Sequence, residues 1–117
     1  MTFPTKAQWL VAIHKGFRSD GAMCSSNRIY FTRIGNGDLT YPPLPVDLHN
    51  YRYFIGGDHA DRIAADHEFL EFMYDVIEER SWRIVRGLAQ RRALKYFHLV
   101  RSPSLPGCSY RYKEQLL

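Results

Sequence analysis

The stretch richest in residues that could do chemistry is DHADRIAADH (58–67), with two histidines and three aspartates in ten positions. Imidazole and carboxylate groups ligate metals and transfer protons. On a helix, however, His59 and His67 stand about 12 Å apart, which is too far for one ion. Acids at a helix start are explained by the helix dipole. We therefore predict no metal and no cofactor. We expect Asp66 at the edge of the core, paired with Arg62, with a buried acid of shifted pKa as the alternative.

Nucleophilic catalysis would need a cysteine or serine beside a base. The chain has two cysteines, Cys24 and Cys108, and no signature such as G-x-S-x-G. We predict that both cysteines are reduced, apolar residues, with a disulfide between them as the alternative. We predict no catalytic residue, yet a small His-dependent hydrolase or nuclease stays an alternative, because pairs of catalytic histidines have no fixed spacing. The five histidines are His14, His49, His59, His67 and His98.

Charge is distributed unevenly along the chain, whose formal net charge is +4. Residues 58–79 hold eight acids and one base, whereas residues 80–113 hold nine bases and no acid. If 80–98 is helical, its cations gather on one arc opposite an apolar side. Such a face can bind phosphates or an acidic protein. Alternatively, it pairs with the acidic face of the helix before it, or both faces are simply solvated. The predicted contact residues of this segment are Arg80, Arg83, Arg86, Arg91, Arg92 and Lys95.

The tripeptide Tyr-Arg-Tyr occurs twice, at 51–53 and at 110–112. Both copies are predicted to be strands, in which alternate side chains face opposite sides and so sort tyrosine from arginine. Protein interfaces favour both residue types, and aromatic sheets also stack nucleic-acid bases. Alternatively, the tyrosines cover the sheet beneath the helices. The predicted binding residues of these strands are Tyr51, Arg52, Tyr53, Tyr110, Arg111, Tyr112 and Lys113.

From the pattern of elements that would position these residues, we predict a single domain over residues 1–117 with an α+β fold. It comprises an N-terminal helix, a small antiparallel sheet or hairpins, one long or two central helices, and a C-terminal hairpin. Thr5 is predicted to cap the first helix, with Leu10 flanking its apolar face. Residues 27–34 predict a strand with a hairpin turn after it.

From residue 40 onward, the sequence predicts a proline-rich connector and the remaining elements. The three prolines of TYPPLPV (40–46) predict an extended connector, and P-P-L-P is similar to the ligands of WW-type domains over four residues only. A strand is predicted at 50–55, and a helix capped by Asp58 follows. We predict a break between Arg80 and Gly87. Residues 93–100 either finish the helix or form a strand paired with 108–115.

These observations favour binding over chemistry. We expect a small, soluble, cytoplasmic, non-catalytic protein that docks on a macromolecular partner through its basic half and its Tyr/Arg strands. The expected partner is a protein of a nucleic-acid-handling complex. Short basic chains without catalytic motifs include accessory and inhibitory factors, phage counter-defence proteins among them. Direct binding of RNA or DNA is the first alternative.

Overall fold

Four helices build the described part of the protein: α1 (Lys6–His14), α2 (Pro45–Ile55), α3 (His59–Arg80) and α4 (Arg86–Arg101). The computed structural model describes residues 3–17, 41–80 and 83–101. Within them, 78 % of residues are helical and none forms a strand, so the predicted α+β fold with an antiparallel sheet is wrong there. The elements predicted at 27–34 and 108–115 lie outside the described residues.

α1 begins at the predicted cap. The Thr5 hydroxyl accepts a hydrogen bond from the Gln8 amide at 3.1 Å, and the Gln8 side chain accepts one from the Thr5 amide at 2.9 Å. This reciprocal pair is a capping box, which satisfies amides that the first turn would otherwise leave unpaired. Trp9 and Phe17 are buried as the apolar spacing predicts, whereas Leu10 is half-exposed.

α2 replaces the strand predicted at 50–55 and part of the extended connector predicted at 40–46. Pro45 occupies the first turn of this helix, where its missing amide hydrogen costs nothing. Tyr51 and Tyr53 are both buried, although residues two apart on a helix point in nearly opposite directions. Both can be buried because α2 lies between two partners, α1 and α3.

α3 is the longest helix and packs against both α2 and α4. Asp58 caps it as predicted: its carboxylate accepts a hydrogen bond from the Asp61 amide at 2.9 Å. Phe69, Met73 and Ile77 lie on its buried side. Its other side carries the predicted acids and faces solvent.

The predicted break separates α3, which ends at Arg80, from α4, which begins at Arg86. Residues 93–100 are helical, which settles the choice that the sequence left open between helix and strand. Ala93, Tyr96 and Val100 are the buried residues of α4, and they join the core formed by the other helices. None of the described helices combines the length and the apolar character that a bilayer crossing requires.

Candidate binding surface on the last helix

The solvent-facing side of α4 carries the cations that the charge pattern predicts. The buried residues Ala93, Tyr96 and Val100 fix the rotation of the helix by packing inward. Since α4 stays helical to Arg101, Arg91 and Lys95 stand one turn apart on the opposite side and are exposed. We call the exposed cations Arg91, Arg92 and Lys95 of α4, with Arg83 of the turn before it, the basic face.

The basic face is not neutralised by the acidic side of α3. In the described ranges, no carboxylate forms an ion pair with any cation of the basic face. Glu71, Asp75, Glu78 and Glu79 are exposed acids of α3, and they too form no ion pair within the described ranges. The alternative in which the basic face pairs with the preceding acidic helix is therefore not realised among these residues.

Two other predicted contact residues do have local interactions. The Arg86 guanidinium donates a hydrogen bond to the Glu78 carbonyl oxygen at 3.0 Å and is only half-exposed. This bond connects the start of α4 to the end of α3, so Arg86 helps to set the corner between them. Arg80 is exposed at the last residue of α3 and also has a partner.

Apolar side chains are interspersed among these cations. Ile84 is 92 % exposed, Leu88 is 60 % exposed, and Val85 and Leu94 are also accessible. Leu88 lies three and four residues before Arg91 and Arg92, so these side chains are neighbours on the helix surface. The exposed side of α4 is therefore cationic and apolar together.

The first Tyr-Arg-Tyr copy lies in a different environment from the one predicted. Tyr51 packs in an aromatic cluster with Trp9 at 5.2 Å and Phe17 at 5.8 Å between ring centroids. Arg52 is about one third exposed and donates a hydrogen bond from its Nε to the Glu68 carboxylate at 3.0 Å. The second copy, Tyr110 to Tyr112, and the adjacent Lys113 lie outside the described residues, as do Cys24 and Cys108.

Tyr53 belongs to a buried polar cluster around Asp66. The Asp66 carboxylate is fully buried and accepts hydrogen bonds from His49 Nε2 at 2.8 Å and from the Tyr53 hydroxyl at 2.6 Å. Its other oxygen accepts a hydrogen bond from Arg101 at 2.7 Å. Arg62 donates to the Tyr53 hydroxyl and to the Val100 carbonyl oxygen. The cluster joins α2, α3 and the end of α4.

The first expectation for Asp66 was therefore wrong, and the alternative, a buried acid with a shifted pKa, is the one observed. Asp66 lies in the core rather than at its edge, and its partners are His49, Tyr53 and Arg101 instead of Arg62. Burial alone raises the pKa of the Asp66 carboxyl, but the three hydrogen bonds together outweigh burial and hold this pKa below its ordinary value. Burial, followed by the hydrogen bond to Asp66, raises the pKa of Tyr53.

The His49–Asp66 pair has the connectivity by which a carboxylate orients a catalytic imidazole. Substrate would not reach it in this structure, however, because His49 is 4 % exposed and Asp66 is 0 % exposed. The His49 ring also packs against the rings of Tyr53 and Phe69, with ring centroids 4.3 and 4.5 Å away. The geometry therefore suits a structural role, in which the pair holds α2 on α3.

An open cavity of about 300 Å³ lies where α2 ends and α3 begins. Arg52 and Glu68 form part of its wall, and they are paired with each other. Asp61 also lines the cavity, and its carboxylate accepts a hydrogen bond from the Asp58 amide. Among the described residues, no group of three or more histidine, cysteine or acidic side chains is arranged to hold a metal ion.

Comparison with protein-family models, with curated proteins and with solved structures found no match. The charge pattern located the cations of the basic face but did not predict Ile84 and Leu88 beside them, and it placed Val85 on the apolar side, whereas Val85 is exposed. A signal was present: on a helix that buries Ala93, Tyr96 and Val100, Leu88 falls on the opposite side. In the run Arg-Ile-Val-Arg (83–86), two adjacent apolar residues likewise stand between two cations.

Proposed function

We propose that this protein is a non-catalytic binding protein whose basic face docks on an acidic protein partner. The observation that carries the proposal is the basic face itself: exposed cations on α4 and in the turn before it, without an ion pair among the described residues. Arginine is enriched at protein interfaces, and opposite charge on a partner accelerates association and selects among partners.

A protein partner is favoured over nucleic acid because the cations share their surface with exposed leucines. Phosphates attract arginine and lysine, but a phosphate backbone offers nothing for Leu88 or Leu94 to contact. A protein surface offers carboxylates and apolar side chains together. The role in a nucleic-acid-handling complex, as an accessory or inhibitory factor, and a cytoplasmic location are carried over from the sequence as further parts of the proposal.

The first Tyr-Arg-Tyr copy contributes to this function indirectly. Tyr51 and Tyr53 are core residues in this structure, and Arg52 is engaged with Glu68. They stabilise the helices that present the basic face. Tyr110, Arg111, Tyr112 and Lys113 remain proposed contact residues, on the basis of the sequence alone.

Charge reversal at matched positions tests the proposal. The double variant R91E/K95E reverses two cations of the basic face. K6E/K15E makes the same charge change at two exposed positions, the first residue of α1 and the residue directly after α1. Immobilised wild-type protein and both variants would be incubated with extract of the producing cells, with and without nuclease. The bound proteins are then identified, and their affinities are measured after purification.

We expect an acidic protein that binds wild type and K6E/K15E alike, binds R91E/K95E at least tenfold more weakly, and is retained after nuclease treatment. Dependence on Arg91 and Lys95, rather than capture as such, is the supporting result. Binding that R91E/K95E leaves unchanged would refute the proposal. Binding of purified nucleic acid would favour the nucleic-acid alternative if the affinity falls with salt. The expected slope is about 0.9 log units of affinity per log unit of salt concentration for each phosphate contacted.

A further inference from the structure

A cluster of exposed apolar residues lies at the corner where the turn after α3 leads into α4. Ile84 is 92 % exposed, Val85 is 44 % exposed and Leu88 is 60 % exposed. A helical hydrogen bond from the Ala89 amide to the Val85 carbonyl oxygen already forms here at 3.0 Å, so Val85 and Leu88 are held on ordered backbone. We call Ile84, Val85 and Leu88 the apolar corner.

Single exposed apolar side chains are common on protein surfaces, but contiguous apolar groups bordered by polar residues mark interaction sites. The apolar corner is bordered on both sides by the basic face. Arg83 directly precedes Ile84, and Arg91 and Arg92 lie one turn beyond Leu88. An apolar centre with a charged rim is the usual arrangement of a protein-binding patch.

We infer that the apolar corner is the anchor of the docking surface and that it inserts into an apolar pocket rimmed by carboxylates on the partner. The inference rests on the proposed function and adds to it the contact that holds the complex together. Charge complementarity identifies the occupant: the rim cations Arg83, Arg91 and Arg92 require acids around any pocket that accepts Ile84 and Leu88. In such an arrangement the cations steer association, while the buried apolar contact slows dissociation.

The test uses two synthetic helical peptides of 20 residues as probes. One presents leucines on one side with glutamates around them, and the other has every leucine replaced by serine at the same charge. Affinities are measured by fluorescence anisotropy at physiological salt for wild type and for I84S/L88S. The control variant L10S/V11S removes comparable exposed apolar side chains from α1. All four positions are exposed, so the fold is checked by circular dichroism only as a precaution.

For wild type and L10S/V11S we expect the leucine peptide to bind about tenfold to a hundredfold more tightly than the serine peptide. In I84S/L88S this preference should disappear, mostly through faster dissociation. A preference that persists in I84S/L88S would overturn the inference. R91E/K95E distinguishes a failure of the docking proposal from a failure of the anchor. If R91E/K95E weakens binding of both peptides while I84S/L88S has no effect, the docking proposal stands and the apolar corner is not its anchor. If R91E/K95E also binds normally, the docking proposal fails.

A second copy of this chain is the competing occupant, because the solvent-facing side of α3 is acidic. Light scattering coupled to gel filtration measures this directly. If the inference holds, the molar mass of the wild type does not rise with protein concentration through self-association at the apolar corner. A concentration-dependent dimer that I84S/L88S and R91E/K95E both abolish would assign the apolar corner to self-association and overturn the inference.

Discussion

Replacing Asp66 by asparagine should be the most informative perturbation of the described core. The substitution keeps the size of the side chain and one acceptor oxygen, which can still serve His49 and Tyr53. It removes the negative charge, however, and turns an amide NH₂ group toward the Arg101 guanidinium, where two donors then face each other. The Arg101 contact at 2.7 Å is therefore lost, and the other two hydrogen bonds weaken.

The magnitude follows from burial. Removing one partner from a buried ion pair destabilises proteins by about 3–5 kcal/mol, because the other charge is left without compensation. Arg101 is 28 % exposed and can recover some water, so we expect the lower end, about 3 kcal/mol. With an m-value of about 1.5 kcal/mol per M, the urea midpoint should fall by about 2 M.

Urea unfolding followed by circular dichroism measures this loss, with D75N as the matched control. Asp75 lies on the same helix but is exposed, so the identical chemical change there should alter the free energy of unfolding by less than about 0.5 kcal/mol. If D66N loses less than about 1 kcal/mol, or no more than D75N does, the cluster around Asp66 does not hold the helices together as described.

Three further predictions concern pH and helix capping. The folded pKa of Asp66 lies below its unfolded value, so the stability that its ionised form provides is complete above about pH 4 and is lost as the pH falls further. The difference in unfolding free energy between wild type and D66N should therefore narrow at lower pH. A difference that is unchanged at pH 2 would contradict this prediction. Because the pKa of Tyr53 is raised, Y53F should leave tyrosinate absorbance at pH 10.5 unchanged, whereas a drop would show that Tyr53 ionises normally. T5A should lower the free energy of unfolding by about 1 kcal/mol, and Q8A should also lower it, since each side chain supplies one of the two capping bonds; negligible losses in both variants would argue against the capping box.

Local signals in the sequence were sufficient to predict those elements that have a single buried side. Thr5 and Asp58 were identified as caps because capping is a short-range interaction. The break after Arg80 was predicted because one helix over 59–93 would be about 50 Å long, which is awkward in so small a domain. The orientation of α4 followed from the apolar spacing of Ala93, Tyr96 and Val100. The exposed cations opposite them were located for the same reason.

The same reasoning failed for α2 because this helix is buried on two sides. A helix that contacts α1 through Tyr51 and α3 through Tyr53 has no polar stripe, so its apolar residues alternate as they would in a strand. Aromatic residues also favour strands, and tertiary packing overrode that preference. Asp66 was misplaced because its partners are 13, 17 and 35 residues away, and no local pattern reports such contacts.

Photo-crosslinking from a defined position on α4 puts the docking hypothesis at greatest risk. A photoreactive phenylalanine derivative would replace Leu94, which lies on the exposed side of α4, or Leu10 on α1 as the control. We predict that position 94 crosslinks to an acidic protein in the producing cells, that position 10 does not, and that R91E/K95E abolishes the product. Crosslinks from position 10 alone, or a product at position 94 that survives R91E/K95E, would contradict docking through the basic face.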